Sequence, residues 1–192
     1  MTLPRDLPGR YGRVIQDLER MLVATEQPAL VAGGWAVWHH GYVGRITQDV
    51  DIVVSAIGSI EFLKCAPMFG FQVLTAPAGR WPKLIHQQSQ IEVDFLPEAE
   101  FPGTPNHRAP IPIGHPMDYA AKVGYLTFID IAPLFELKIG AHRAKDIADL
   151  IELVKANGSK LEEIAQYLSL QHPSYAEQFA ELCRQAKEET SF

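Results

Sequence analysis

The stretch Leu30–Val54 constrains the fold more than any other part of the chain. It begins with a short apolar run that stops at Gly33-Gly34, which predicts a strand followed by a tight turn. Residues Trp35–His40 suit a short helix of about two turns, and Gly41 predicts where that helix ends. The alternating run Asp49–Val54 predicts a second strand. The stretch therefore predicts a strand, a glycine turn, a short helix and another strand.

Chemically useful groups are concentrated in this stretch. Strand alternation places Asp49 and Asp51 on one face and Val50, Ile52 and Val54 on the other. Two neighbouring carboxylates form the hard-oxygen site that Mg²⁺ prefers. Gly33 and Gly34 have no side chain, so a phosphate can approach the N–H groups at the start of the helix. The sequence predicts a metal site next to a phosphate-binding turn.

This ordered set resembles the nucleotidyltransferase superfamily, which shares the fold of DNA polymerase beta. The chain is most similar to its small bacterial members: aminoglycoside and lincosamide nucleotidyltransferases, and abortive-infection nucleotidyltransferase toxins. The family pattern adds a third Asp on a later strand, which Asp94 supplies within the alternating run Ile91–Leu96, with Glu92 on the same face. The other residues that carry the resemblance are Gly33, Gly34, Arg45, Thr47, Asp49 and Asp51.

The resemblance implies an α/β (α+β) fold, with a mixed β-sheet nucleotidyltransferase core and a helical C-terminal region. It also implies an enzyme that transfers an NMP from an NTP, such as ATP, to an acceptor hydroxyl and releases pyrophosphate. Two Mg²⁺ ions would be bridged by Asp49 and Asp51, while Asp94 would hold the acceptor-side ion and take the proton. The alternatives are a cap at a strand end for Asp49 and a solvent-facing strand position for Asp94. Without metal, three adjacent carboxylates repel, which predicts a raised pKa for one of them.

Further residues are predicted to bind the nucleotide. Gly33 and Gly34 would admit the triphosphate, although a compact turn alone would also require them. Thr47 fits a phosphate contact and a loop cap equally well, and Arg45 fits a phosphate contact or a solvated loop position. These alternatives stay open.

Lys138 is predicted to offset the charge of the β- and γ-phosphates. By resemblance, related small nucleotidyltransferases carry a Lys on a helix in this place, followed by an Arg-x-Lys-Asp string. Leu137-Lys138 and Arg143–Asp146 reproduce that arrangement. Lys145 and Asp146 either tie neighbouring helices together, with Asp149 on the same helix face as Asp146, or are only solvated charges and caps, which is the favoured interpretation.

Periodicity predicts the other elements. Helices are expected from Tyr11, after an N-cap at Ser59, over 134–142 and 144–156, after a cap at Ser159, and over 174–188; strands are expected over 71–75, 81–87 and 91–96. Gln88-Ser89 predicts a hairpin turn, and so does the run 77–79. The proline-rich run 97–118 predicts irregular structure that either walls the active site or only connects elements. Two units are expected: a core over 1–125 with an N-terminal helix, and a helical region over 126–192 packed on it.

Composition limits the possible partners. A net charge of −6 and a pI near 5.6 argue against a generic nucleic-acid coat but leave room for a local basic groove. Cys65 and Cys183 are too few for a disulfide framework or a CxxC-type zinc site. Neither a signal pattern nor an apolar run long enough to cross a membrane is present, so a cytoplasmic protein without a membrane partner is expected.

The acceptor remains open among a small molecule, an RNA end and a protein side chain, and a homodimer is possible. Two other functions also remain open. The chain could be a catalytically silent nucleotide-binding or toxin–antitoxin-type interaction module on the same fold, or a structural protein that keeps only the scaffold. The three carboxylates favour the active enzyme.

Overall fold

The structure is a computed structural model that describes residues 3–74, 81–104, 107–120, 122 and 125–190. It has the predicted α+β architecture, with a mixed six-stranded sheet, a separate two-stranded hairpin and helices towards the C-terminus. The strands are β1 (Ala29–Val31), β2 (Val50–Val54), β3 (Phe71–Leu74), β4 (Lys83–His86), β5 (Ile91–Pro97), β6 (Gly103–Thr104), β7 (His107–Arg108) and β8 (Thr127–Phe128). The helices are α1 (Arg10–Thr25), α2 (Gly33–His39), α3 (Ala56–Cys65), α4 (Ile131–Ala141), α5 (Ala144–Ala156), α6 (Leu161–Gln171) and α7 (Pro173–Thr190).

The six-stranded sheet places the two strands that carry the predicted carboxylates side by side at its centre. The strand order is β3-β4-β5-β2-β1-β8. Strand β2 pairs in parallel with β5 and antiparallel with β1, while β4 pairs antiparallel with both β3 and β5. Because β5 and β2 are interior strands, each is hydrogen-bonded along both edges, which fixes the positions of the side chains that they carry.

Helix α1 contributes one apolar face to the same buried core as the sheet. The face follows the predicted helical spacing and is almost fully buried, and each such large side chain stabilises the fold by about 1.5–3 kcal/mol. Strand β2 also belongs to this core, because its four apolar residues are buried and only Asp51 is not. The buried residues of α1 are Gly12, Val14, Ile15, Leu18, Met21 and Leu22.

Two predicted helix caps are wrong. Ser59 lies inside α3, and the cap is Ser55, whose Oγ accepts a hydrogen bond from the Gly58 backbone N–H at 2.9 Å. Ser55 directly follows β2, so the helix begins as soon as the strand ends. Ser159 lies in a 3-10 turn, Gly158–Lys160, and α6 begins after that turn without a side-chain cap.

The proline-rich run is more regular than predicted. Strands β6 and β7 pair antiparallel within it, and Pro116–Tyr119 forms a 3-10 turn. Proline tolerates such positions at a sheet edge or in the first turn of a helix, so a high proline content did not exclude short regular elements here. The turn predicted over 77–79 and the end of the strand predicted over 71–75 lie outside the described residues.

The division into units over 1–125 and 126–192 stays a prediction. Strand β8, which was not predicted, lies just after that boundary and pairs in parallel with β1, so the sheet includes residues from both sides of it. Within the described ranges, every helix is too short or too polar to cross a membrane.

Candidate active site

Asp51 on β2 and Asp94 on β5 are direct neighbours across the parallel pair at the centre of the sheet. Residues in register on adjacent strands point to the same face, so the two carboxylates lie side by side. Asp49 immediately precedes β2 and is partly buried. The fold thus brings Asp51 and Asp94 together from strands that are far apart in sequence.

The pKa of Asp51 reflects the other carboxylates around it. The pKa of Asp51 is raised to about 6, first by burial and then by the charges of Asp49 and Asp94, against the opposing effects of Lys138 and Arg143. A raised pKa was predicted, but from charge repulsion alone, whereas burial is the larger cause. The site holds more negative charge than the surrounding protein balances.

The glycine pair makes room for the side chains of this site. Gly33 has φ of +56°, and a Cβ there would lie 1.7 Å from Asp51 Oδ2. A Cβ on Gly34 would lie 1.8 Å from Thr47 Oγ1. The Asp51 carboxylate therefore rests directly against the backbone at Gly33, where no other residue type fits without displacing it. The Thr47 hydroxyl is buried and has no hydrogen-bond partner among the described residues.

Lys83 is a charged neighbour of Asp94. It lies opposite Asp94 in the β4–β5 pair, and its Nζ is 2.8 Å from Asp94 Oδ1 and donates a hydrogen bond to Oδ2 at 3.1 Å. Nζ also donates to Glu92 Oε2 at 3.2 Å. Burial acts to lower the pKa of Lys83, but the hydrogen bonds and charges of these two carboxylates outweigh burial and raise it.

Sequence analysis did not identify Lys83, although a signal was present. A hairpin turn at Gln88-Ser89 pairs position 83 with position 94, and the structure has this register. Counting outward from the predicted turn would have placed a lysine beside the third carboxylate.

Lys138 lies in a buried cluster of charges between α4 and α5. Its Nζ donates to Asp146 Oδ1 at 3.1 Å and to Asp149 Oδ2 at 2.7 Å. Arg45 pairs with Asp149 Oδ2, and the Arg143 Nε donates to Asp146 Oδ2 at 2.6 Å. Burial raises the pKa of Asp146, but hydrogen bonds and charges from Arg143 and Lys138 hold it below its usual range.

This cluster extends the predicted roles of its members. Asp146 pairs with Lys138 and so connects α4 to α5, and it also accepts a hydrogen bond from the Arg143 backbone N–H at the start of α5, whereas Lys145 is exposed. No separate role was predicted for Arg143. It lines the same cleft as Asp51, and its charge acts to lower the pKa of that residue. The Arg45–Asp149 pair spans 104 residues of sequence, and no local pattern predicts such a contact.

A cleft of about 830 Å³ opens beside the carboxylates. Its lining includes Asp51, Asp94 and Lys83 from the sheet and Lys138 from α4, and the proline-rich run forms a further wall. Of the two interpretations of that run, the structure supports a wall of the site. The wall includes Glu100, Phe101, Pro102, Gly103, Thr104, Arg108 and Ile113.

The carboxylate oxygens of this site decide whether it suits Mg²⁺. Across the residues that the structure describes, no group of three or more His, Cys, Asp or Glu side chains is arranged to hold a metal ion. Asp51 and Asp94 nevertheless present hard oxygens from one face, although Lys83 Nζ already lies 2.8 Å from Asp94 Oδ1. Such oxygens are the donors that Mg²⁺ prefers, so this pair fits the ion.

No protein-family model and no curated protein matches the sequence. Two solved structures are similar in overall fold. A crystal structure of ANT(2″)-Ia in complex with adenylyl-2″-tobramycin is 12% identical with a TM-score of 0.44, covering 92% of this chain and 97% of that chain. A solution structure of the antibiotic-resistance factor ANT(2″)-Ia is 11% identical with a TM-score of 0.41, covering 93% and 96%. At these low values, functional interpretation rests on the residues of this chain.

The aromatic and histidine residues of α2 have packing contacts, and no role was predicted for them. Trp35 is buried, and the His39 ring stacks on Phe128 at 4.2 Å. His40 Nε2 lies 2.8 Å from the Ile129 carbonyl oxygen, and burial lowers the pKa of His40 to about 4. These contacts fix α2 against the segment that contains β8.

Proposed function

We propose that this protein transfers an NMP from an NTP to an acceptor hydroxyl and releases pyrophosphate. The observation that carries the proposal is the register of Asp51 and Asp94 on adjacent parallel strands at the edge of the cleft, with the bare backbone of Gly33 beneath Asp51. Two ionised carboxylates side by side at a partly buried position repel each other and destabilise the fold, so packing alone does not explain this arrangement. A divalent cation with a nucleotide would resolve that repulsion.

Each carboxylate has a proposed role. Asp49, Asp51 and Asp94 would hold two Mg²⁺ ions, which supply Lewis-acid stabilisation of the reacting phosphate and lower the pKa of the acceptor hydroxyl. Asp94 accepts the hydroxyl proton. The hydroxyl oxygen then bonds to the α-phosphorus, the bond from that phosphorus to the bridging oxygen breaks, and pyrophosphate leaves. The raised pKa of Asp51 supports this assignment, since a bound cation would favour the ionised carboxylate.

The triphosphate is proposed to lie along the glycine turn. Gly33 and Gly34 have no side chain, and Asp51 Oδ2 and Thr47 Oγ1 lie directly against them, so a phosphate at this turn would contact these side chains as well as the backbone. The buried Thr47 hydroxyl supplies a donor that no described residue uses. Arg45 and Lys138 would offset the charge of the phosphates. Because Asp149 pairs with both cations, only part of their charge remains for a ligand, and their contribution is expected to be smaller than that of the carboxylates.

A second candidate is a nucleotide-binding module without turnover, as in a toxin–antitoxin-type interaction. The ion pair between Lys83 and Asp94 favours this second candidate, because Asp94, the carboxylate proposed to accept the hydroxyl proton, already has a cationic partner. The acceptor in the first case would bind between Asp94 and the proline-rich wall, as a small molecule, an RNA end or a protein side chain.

The deciding experiment incubates the purified protein with each of the four α-³²P-labelled NTPs, Mg²⁺ and a fractionated cell extract. Label in one fraction, together with released pyrophosphate, is expected for the wild-type protein and not for Asp51→Asn. The labelled fraction then identifies the acceptor class. A Mg-NTP complex that raises the melting temperature without pyrophosphate release would favour the silent module, since a ligand selective for the folded state stabilises it. Absence of both effects would contradict both candidates.

A further inference from the structure

Lys83 occupies a particular place among the carboxylates of β5. The hairpin register sets it directly opposite Asp94, and Glu92 lies two residues away on the same face of β5. Its Nζ lies 2.8 and 3.1 Å from the two oxygens of Asp94, and 3.2 Å from Glu92 Oε2. One ammonium group thus contacts both carboxylates at once.

The two partners of Lys83 lie in different surroundings. The Asp94 side chain is 24% exposed and lines the cleft beside Asp51, whereas the Glu92 side chain is 49% exposed. The Lys83 side chain is 40% exposed and lines the cleft, so solvent reaches part of it. A lysine ammonium is a compact charge on a flexible stem, and such a group exchanges partners without any change in the backbone.

We propose that Lys83 is the resting counter-ion of Asp94, and that its ammonium leaves Asp94 and keeps only Glu92 as its partner when a divalent cation binds Asp94. This inference rests on the proposed function, because it assumes that Asp94 is a cation ligand. Two positive charges at hydrogen-bonding distance from one carboxylate repel, so the cation and the ammonium compete for Asp94. Glu92 then acts only through Lys83, by providing the alternative partner. Lys83 is thus a positioning residue that sets how tightly the acceptor-side cation is held.

The test measures binding of Mn²⁺, which prefers the same oxygen donors as Mg²⁺, by the loss of the free-ion signal in electron paramagnetic resonance. Titrations are run with Mn²⁺ alone and with Mn²⁺ plus a non-hydrolysable ATP analogue. For Lys83→Met, we expect the weaker Mn²⁺ site to bind about tenfold more tightly, because a competing but partly solvent-screened charge is removed. The matched control is Lys64→Met, which removes an exposed lysine paired with Glu61 at 2.9 Å on α3, and no change in Mn²⁺ affinity is expected.

A second variant tests the exchange itself. For Glu92→Gln, we expect Mn²⁺ to bind about threefold more weakly, because Lys83 then has Asp94 as its remaining partner. In the Lys83→Met background the same change is expected to have a much smaller effect, which is the coupling that a double-mutant cycle measures. Melting temperatures of all variants without metal show whether each is folded.

The outcomes separate the two proposals. If the wild-type protein binds Mn²⁺ and transfers label, but Lys83→Met leaves the Mn²⁺ affinity unchanged, the competition is overturned and the proposed function stands. An equal effect of Glu92→Gln in both backgrounds also overturns the exchange, since Glu92 would then act directly on the cation. If no folded variant binds Mn²⁺ with or without the nucleotide analogue, the proposed function falls and the competition with it.

Discussion

Two regions of this molecule carry charge away from bulk water, and they treat it differently. At the centre of the sheet, Asp51 stands beside Asp49 and Asp94, and its pKa is raised to about 6. Between α4 and α5, the buried carboxylates Asp146 and Asp149 are matched by cations at hydrogen-bonding distance. The first region concentrates unbalanced charge and the second neutralises it. Unbalanced charge is typical of a binding or catalytic site, whereas balanced charge holds elements together.

The largest expected effect is on catalysis at the unbalanced region. Asp51→Asn and Asp94→Asn should each lower NMP transfer about a thousandfold, because metal-assisted charge stabilisation contributes several kcal/mol to such a step. The measurement is the rate of pyrophosphate release from Mg-NTP. Asp17→Asn, at an exposed ion pair with Arg20 on α1 and a contact to His86, is the folded control for loss of a carboxylate. Activity within tenfold of wild type in both site variants would remove the distinction between the two regions.

The next effect is on stability at the balanced region. The Lys138 side chain is 6% exposed, and Lys138→Met leaves two buried carboxylates without their shared partner. We expect the free energy of unfolding to fall by about 3 kcal/mol, as for other broken buried ion pairs. Urea denaturation of this variant and of Lys155→Met, whose lysine pairs with exposed glutamates, measures it. Equal losses in both variants would mean that burial of the cluster has no energetic consequence.

A pH series sharpens the contrast. Because the pKa of Asp51 is raised from 3.8 to about 6 in the folded protein, its ionised form destabilises the fold. This destabilisation is absent below the unfolded value and complete above about 6, so without divalent ions the free energy of unfolding falls as pH rises through that window. After allowance for partial exposure we expect a fall of about 2 kcal/mol, which Asp51→Asn abolishes.

Urea denaturation in EDTA at pH 4 to 7.5 measures this fall in the free energy of unfolding. Comparing wild type with Asp51→Asn isolates the residue from other groups that titrate in the same range. Curves that run parallel for the two proteins would show that Asp51 is not perturbed.

The smallest effect concerns the glycine beneath the carboxylates. Gly33→Ala places a side chain in the left-handed region, which costs about 1 kcal/mol, and its Cβ would displace Asp51 Oδ2. We expect that loss of unfolding free energy together with a weaker stabilisation by Mg-NTP. Gly158→Ala is the matched control, because a Cβ there meets nothing within 4 Å and φ is not in the left-handed region. Differential scanning fluorimetry with and without Mg-NTP measures both, and equal behaviour of the two variants would contradict the close approach at Gly33.

Sequence reasoning recovered the parts of the site that depend on local patterns. Alternation placed the half-buried Asp51 and Asp94 on the opposite face from the apolar residues next to them in each strand. The turn predicted at Gln88-Ser89 implies the register that sets Lys83 opposite Asp94, although Lys83 was not identified. The parallel register that makes Asp51 and Asp94 neighbours depends on tertiary packing, which the local pattern does not encode.

Other features had no local signal. Strand β8 has only two residues, which is too short for alternation to be visible, and β1 supplies its pairing. Ser55 and Ser59 are chemically identical caps, and the choice between them was decided by where β2 ends. The two partners of Lys138, Asp146 and Asp149, were missed because they depend on how α5 packs against α4, which is set by the left-handed conformation of His142 just after α4 ends.

The central location of β5 and β2 has a mechanical consequence. An edge strand can unfold locally and let repelling side chains separate. Strands β5 and β2 are each hydrogen-bonded to a second neighbour, which opposes such movement. Repulsion between Asp51 and Asp94 therefore cannot relax by movement of the backbone. The repulsion is instead offset by protonation, by the Lys83 ammonium or, under the proposed function, by a metal cation, so the charge state at the middle of this sheet depends on solution conditions.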